Sequence, residues 1–291
     1  MRGRIIRGIA GFYYVQTGNQ IYECKAKGIF RKDKKKPLPG DYVEIDILDE
    51  TALTANISVI LPRTNELIRP AVANVNQALV IMAAASPAPN LNLLDRFLVT
   101  MEQQKVECCI CFNKQDLVDE EWKDKLRESY RNTGYRVLFT SARQGEGLEE
   151  LCQILTGKTT TVAGPSGVGK SSLINRLQTG ISMETGEIST KIERGKHTTR
   201  HSELIYVSED TYIVDTPGFS SIELYGMEKE ELQDYFPEFA DWEPECRFTG
   251  CAHVKERDCG VKTALERGEI SRSRDENYCQ LYEELKNKRK Y

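Results

Sequence analysis

Gly164-Pro165-Ser166-Gly167-Val168-Gly169-Lys170-Ser171 fits G-x-x-x-x-G-K-[ST] at every fixed position. It stands between a strand-like stretch, Thr159 to Ala163, and a stretch of helical composition that starts with Ser171, Ser172 and Leu173. Strand, glycine loop and helix in that order give each residue type a physical task. The glycines let the backbone wrap so that its N–H groups converge on phosphate oxygens, Lys170 reaches the β- and γ-phosphates, and Ser171 presents its hydroxyl to Mg²⁺. Average composition would produce such a match in about one chain in a hundred of this length. The flanking strand and helix turn the match into a nucleotide site covering Gly164 to Ser172.

Upstream, Asn113-Lys114-Gln115-Asp116 follows the apolar run Glu107 to Phe112 and matches N-K-x-D, an element that reads guanine. Asp116 can accept from guanine N1–H and from the exocyclic amine. Adenine lacks the N1 donor and would strand a desolvated carboxylate, a mismatch that can discriminate by about 10⁴ to 10⁵. Lys114 is expected along the base face, and Asn113 is expected to tie this loop to the phosphate loop. Thr140-Ser141-Ala142 closes the next strand, where an element with a backbone N–H for guanine O6 should lie, so Ser141 and Ala142 join the site.

Downstream, Asp215-Thr216-Pro217-Gly218 follows the strand Thr211 to Val214 and fits D-x-x-G. Asp215 would hold Mg²⁺, usually through water, and the Gly218 N–H would meet the γ-phosphate. Between the two loops, Arg194 to Arg200 is the expected switch loop, with Thr198 or Thr199 closing on Mg²⁺ and Thr199 preferred. Phe219 occupies the place where Ras-like enzymes carry a water-orienting Gln, so intrinsic hydrolysis should be slow. That leaves His197, beside the switch threonines, as the candidate to position water. A P-loop kinase is disfavoured by Asn113 to Asp116; a GTP-switched binding module, whose output is occupancy, is the second reading.

These elements normally run phosphate loop, switch threonine, D-x-x-G, N-K-x-D, then S-A. Here the guanine elements at 113 and 141 precede 164, 198 and 215, which marks a circularly permuted GTPase domain, feasible because domain termini often lie close together. The segment after Gly218 then runs straight into the C-terminal region.

The 291 residues are enough for several compact units. Residues 1–68 read as all-β, with short segments Gly11 to Gln16, Gln20 to Lys25, Asp41 to Leu48 and Ala55 to Leu61 set between turns, the pattern of a small barrel. Residues 69–225 alternate strand, loop and helix, as in an α/β domain with a parallel sheet. Ala78 to Ala85 is a buried strand, and Leu94, Phe97, Leu98 and Met101 form one apolar helical face. Residues 226–291 read as mainly helical and cysteine-rich, ending in the charged run Lys286 to Lys290. No apolar run approaches the roughly 20 residues of a membrane helix. The basic N-terminus lacks an apolar stretch for a secretory signal, so the expectation is a cytoplasmic chain without a membrane partner. A net charge of −4 excludes a uniformly basic nucleic-acid binder and leaves local patches.

The nine cysteines divide into two groups. Cys108, Cys109 and Cys111 sit in an apolar strand and read as packing. Cys246, Cys251 and Cys259 share a polar, turn-rich segment with His253, which points to metal rather than disulfides in a cytosolic protein; buried structural cysteines are the alternative.

With these motifs in this order, essentially the whole chain resembles the RsgA family, also called YjeQ or YloQ, the small ribosomal subunit-dependent GTPases. The resemblance implies an N-terminal OB-fold, a circularly permuted GTPase domain and a C-terminal zinc-binding domain. It also implies GTP hydrolysis stimulated by the 30S subunit during late maturation. Cys246, Cys251, His253 and Cys259 match the family spacing C-x4-C-x-H-x5-C, three thiolates and one imidazole that would close a tetrahedral structural Zn²⁺ site. The implied partners are GTP or GDP with Mg²⁺ and the small subunit with its rRNA, the chain acting as a monomer. Phe12, Tyr13, Tyr14 and Tyr22 near the basic loop could stack bases if not used in the core, and Arg31 to Lys36 and Lys286 to Lys290 are further rRNA contacts to expect.

Overall fold

Arg2–Ile9 (β1) carries three arginines, which hide a strand that turn signals alone do not reveal. Ile5 is fully buried and Ile6 nearly so. Arg4 is buried as well: its guanidinium donates to Gly40 O, Asn74 O and Thr159 Oγ1 and lies 4.8 and 4.6 Å from the centres of the Tyr42 and Tyr212 rings. Neutral acceptors and ring faces satisfy the charge where no carboxylate bonds it. Burial pulls its pKa below the ordinary arginine value.

The computed structural model describes residues 1–27, 30, 36–68, 70–185, 202–208, 210–215, 224 and 226–288. Two units, each drawn from three stretches, make up the chain. The first contains residues 1–78, 152–162 and 174–218; the second contains residues 79–151, 163–173 and 219–291.

In the first unit, β1 is followed by Phe12–Thr17 (β2), Gln20–Ala26 (β3), Tyr42–Asp49 (β4) and Thr54–Ile60 (β5). The order β1-β2-β3-β5-β4, with β4 pairing back onto β1, closes a five-stranded barrel in which only β3–β5 is parallel. Period-two alternation sends Ile5, Val15, Tyr22, Cys24, Val43, Ile45 and Ile57 into one core. Tyr22 is therefore spent on packing, and Tyr13 lies against the same core. Phe12 and Tyr14 stay half-exposed, with Lys25 over the Phe12 ring and Arg7 over the Tyr14 ring. Beyond two short strands, Glu66–Leu67 (β6) and Val72–Ala73 (β7), the unit also holds Glu203–Ser208 (β12) and Thr211–Asp215 (β13). β12 pairs β1 through Arg7 and Glu203, whose side chains also form an ion pair.

In the second unit, Gln77–Ala83 (β8), which begins at the boundary, is followed by Leu91–Gln103 (α1), Glu107–Asn113 (β9), Glu120–Ser129 (α2), Arg136–Thr140 (β10) and Leu148–Leu155 (α3). The strands lie in the order β10-β9-β8, with β9 and β10 parallel. Cys108, Cys109 and Cys111 are buried in β9, as packing requires. Thr159–Ala163 (β11), in the first unit up to Val162, leads into the glycine loop, and Lys170–Thr185 (α4) leaves it, with residues 174–185 again in the first unit. C-terminally come 3-10 turns, then Gly260–Glu266 (α5) and Arg272–Asn287 (α6). Phe236, Phe239, Tyr278, Leu281 and Leu285 form a core that also takes in Val99 of α1.

One polar cluster lies within this packing. Arg274 of α6, 1% exposed, donates to Asp95 of α1 at 2.7 Å and grips Glu238 through two bonds of 2.6 and 3.0 Å. Tyr130 and Asn277 donate to the same Asp95 carboxylate. Every oxygen of Asp95 is thus matched by a donor, which is the condition for burying a charge. Removing one member of such a group leaves the rest uncompensated, at about 3–5 kcal/mol. Asp95→Ala should therefore lower the denaturant midpoint of the second unit sharply while the barrel unfolds as before; equal midpoints in wild type and variant would contradict this.

Candidate functional site

Asn113, at the end of β9 and 1% exposed, joins three motifs. Its Nδ2 donates to Val168 O in the phosphate loop at 2.8 Å. Its Oδ1 accepts from the Ala142 N–H at 3.1 Å and from Thr140 Oγ1 at 3.2 Å. The expected tie between Asn113 and the phosphate loop is present. The Ala142 N–H, read from sequence as belonging to an element facing guanine O6, is turned onto Asn113 Oδ1. The reason lies in burial: an asparagine this enclosed needs acceptor partners as well as donor partners.

Lys114 follows in a left-handed conformation, φ 65°, and its Nζ donates to Ser86 O and to Gly167 O, the latter at 2.7 Å. The ammonium so spans from the loop after β8 to the glycine loop. Asp116 lies half-buried in the 3-10 turn Gln115–Leu117, and among the described residues none donates to its carboxylate, which leaves both oxygens for a ligand. Gln115 Nε2 reaches Glu146 Oε2 at 3.1 Å, linking this turn to the loop that starts at Ser141. That loop is itself closed by the Ser141–Glu146 bridge.

In the glycine loop, Lys170 Nζ bonds Gly164 O and Pro165 O at 2.7 and 2.6 Å, so the phosphate lysine rests on its own loop. Gly169 is required by geometry. It has φ +91°, and a Cβ there would stand 2.4 Å from Asn113 Nδ2. Ser171 and Ser172 are exposed on the first turn of α4, open to a ligand. Asp215 ends β13. His197, Thr198, Thr199, Gly218 and Phe219 lie outside the described residues.

Cys246, Cys251, His253 and Cys259 converge, their donor atoms all within 4.8 Å of one another. His253 Nδ1 is 3.6 Å from Cys246 Sγ and 3.3 Å from Cys259 Sγ, and the two sulfurs are 3.8 Å apart. Zn–S and Zn–N bonds of about 2.3 and 2.0 Å in a tetrahedron place donors about 3.5 to 3.8 Å apart, so the residues fit zinc. Burial pushes the Cys251 thiol up to about 12 and raises Cys259, while it lowers His253. A cation must then displace thiol protons, and its hold weakens as pH falls. Glu256, which sequence reading passed over, pins the ligand loop: its carboxylate accepts from the N–H groups of Ala252, Val254 and Lys255. Burial opposes its ionisation, but those donors prevail and hold its pKa below the ordinary value.

Residues 60–225 match the RsgA GTPase family and residues 2–53 match the RsgA N-terminal domain. The chain belongs to the RsgA GTPase family. A relative from Agathobacter rectalis, a small ribosomal subunit biogenesis GTPase RsgA, is 59% identical over the full length of both chains. One of the same description from Alkaliphilus metalliredigens is 50% identical, covering all of this chain and 99% of its own. Among solved structures, YjeQ from Thermotoga maritima is 38% identical with TM-score 0.83, covering 99% of each chain. YloQ, described as a circularly permuted GTPase, is 37% identical with TM-score 0.80, covering 100% of this chain and 96% of its own.

The RsgA fold therefore accounts for the barrel and the inverted motif order together. Ser86 and Glu146 are site residues that motif matching missed, since one contributes only a carbonyl and the other a bond to Gln115; the turn-rich Ser86-Pro87-Ala88-Pro89 after a buried strand is the one signal that marked the first. Two lysines of the charged C-terminal run have partners. Lys286 pairs with Glu283, and Lys288 donates to Leu224 O at 2.7 Å. Among the described residues no helix is long and apolar enough to cross a membrane.

Because Gly169 leaves room for the Asn113 amide, Gly169→Ala should break the Asn113–Val168 bond and strain the loop. Loss of one buried bond, about 1–3 kcal/mol, should weaken both GTP and GDP about ten- to a hundredfold in a fluorescent-nucleotide titration. Unchanged affinity would show that the junction does not shape the pocket.

Proposed function

We propose that this chain binds the small ribosomal subunit, hydrolyses GTP faster when bound to it, and by that cycle assists late subunit maturation in the cytoplasm, acting as a monomer. Family membership supports the GTPase activity, and the relatives' description as small ribosomal subunit biogenesis GTPases supports the partner. The observation that supports the nucleotide reading is the Asn113 junction, which ties the N-K-x-D loop, three residues before Asp116, to the glycine loop at Val168.

In this reading residues 1–68 form an RNA-binding barrel, 69–225 the permuted GTPase domain and 226–291 the zinc-binding domain. Asp116 reads guanine; Lys114, Gln115, Ser141 and Ala142 shape the base pocket. The loop from Gly164 to Ser172 wraps the phosphates, and Lys170 exchanges its carbonyl contacts for β- and γ-phosphate oxygens. Ser171, Asp215 and one of Thr198 and Thr199 would hold Mg²⁺, which supplies charge neutralisation on the β- and γ-oxygens. The Gly218 N–H meets the γ-phosphate and His197 orients the attacking water. Cys246, Cys251, His253 and Cys259 hold one structural Zn²⁺. Phe12 and Tyr14, half-exposed under cations, are the barrel aromatics suited to stack on rRNA bases.

Asp116→Asn replaces an acceptor with a donor, so it should cost GTP at least a hundredfold in affinity and favour xanthosine triphosphate, whose 2-carbonyl accepts where guanine donates. In assays with and without isolated small subunits, the wild type should be stimulated strongly. His197→Ala should lose that stimulation and keep GTP binding. A wild-type rate indifferent to subunits would refute the proposed partner, and a fully stimulated variant would refute the role of His197.

A further inference from the structure

His253 Nε2 is buried and has no hydrogen-bond partner, an exception among the described side chains. The opposite ring nitrogen, Nδ1, faces the thiols of Cys246 and Cys259. When Nδ1 ligates, the proton of a neutral imidazole resides on Nε2, and that N–H must find an acceptor or remain a desolvated orphan. The nearest carboxylate oxygen is Glu243 Oε1, 3.9 Å from Nε2. Glu243 opens the 3-10 turn Glu243–Glu245, three residues before the ligand Cys246.

The backbone around Glu243 is fixed from the other side. Gly260 donates its N–H to Cys246 Sγ at 3.3 Å, and a Cβ on Gly260 would stand 2.2 Å from Trp242 O. The turn and the start of α5 therefore lie in direct backbone contact, and the root of the Glu243 side chain stays beside the imidazole. Its side chain is 36% exposed, and a movement of about 1 Å would bring the carboxylate to hydrogen-bond distance.

We propose that Glu243 is the positioning partner of the zinc ligand His253: its carboxylate accepts the Nε2–H and fixes the tautomer in which Nδ1 meets the metal. This rests on the zinc reading above. Carboxylates in that role raise the basicity of the imidazole and fix its ring plane, and losing them typically costs 10- to 100-fold in metal affinity.

The test uses the zinc-loaded full chain as wild type, Glu243→Ala and Glu243→Gln, in competition with a chromogenic chelator. Glu243→Ala should surrender zinc about 10- to 100-fold more readily. Glu243→Gln, which keeps an acceptor oxygen, should stay within a few-fold of wild type. Nitrogen-15 imidazole spectra of the wild type should show His253 protonated at Nε2 and metal-bound at Nδ1, a readout that does not need the Ala variant to fold. Equal zinc retention in Glu243→Ala and wild type, or ligation through Nε2, overturns the role of Glu243. A wild type that takes up no zinc at all overturns the metal reading instead.

Discussion

A single buried amide holds the nucleotide half of this protein together. Asn113 offers one donor and one acceptor atom, and each is claimed by a different loop: Val168 O on one side, Ala142 N–H and Thr140 Oγ1 on the other. No other residue type supplies both polarities at that length with a planar, neutral head. Its enclosure makes the arrangement obligatory, because an unmet partner on either side would cost about 1–3 kcal/mol. The absence of a side chain on Gly169 follows from how closely the glycine loop must approach that amide.

The permuted chain order changes what these loops are attached to, not how they meet. After the D-x-x-G motif the chain runs into a segment whose aromatic core takes in Val99 of α1, and whose Arg274 is locked to Asp95 of the same helix. α1 follows the loop whose Ser86 carbonyl accepts from Lys114. Lys114 and the cysteine-rich segment are therefore joined through one helix by contacts with discrete geometry, and both belong to the same compact unit.

Much of this was legible in residue order. The strands at Gln77–Ala83 and Glu107–Asn113 and the apolar face of α1 fall where the residue pattern places them, because buried parallel strands are near-continuous apolar runs. β1 was not legible, since its arginines look like surface charge until Tyr42, Tyr212 and three acceptors enclose Arg4. The division of Phe12 and Tyr14 from Tyr13 and Tyr22 depends on strand register, which a string of aromatics does not reveal. At the site, residues that belong to a motif were identifiable, whereas groups outside any motif, such as the Ser86 carbonyl and the carboxylates of Glu146 and Glu256, were not.

The spacing of the Asn113 bonds also bears on how the protein is made. Chains emerge from synthesis in one direction and fold domain by domain. The partner loop at Ala142 follows Asn113 by 29 residues, but Val168 follows by 55, and Arg4 of β1 waits 155 residues for Thr159. The loops at Asn113 and Ala142 are thus synthesised first, and in the proposed reading a guanine nucleotide can be captured only after the glycine loop has appeared. In a protein with the usual motif order the phosphate loop would lead. Here the last-made half of the pocket decides when a newborn chain first becomes able to hold its ligand.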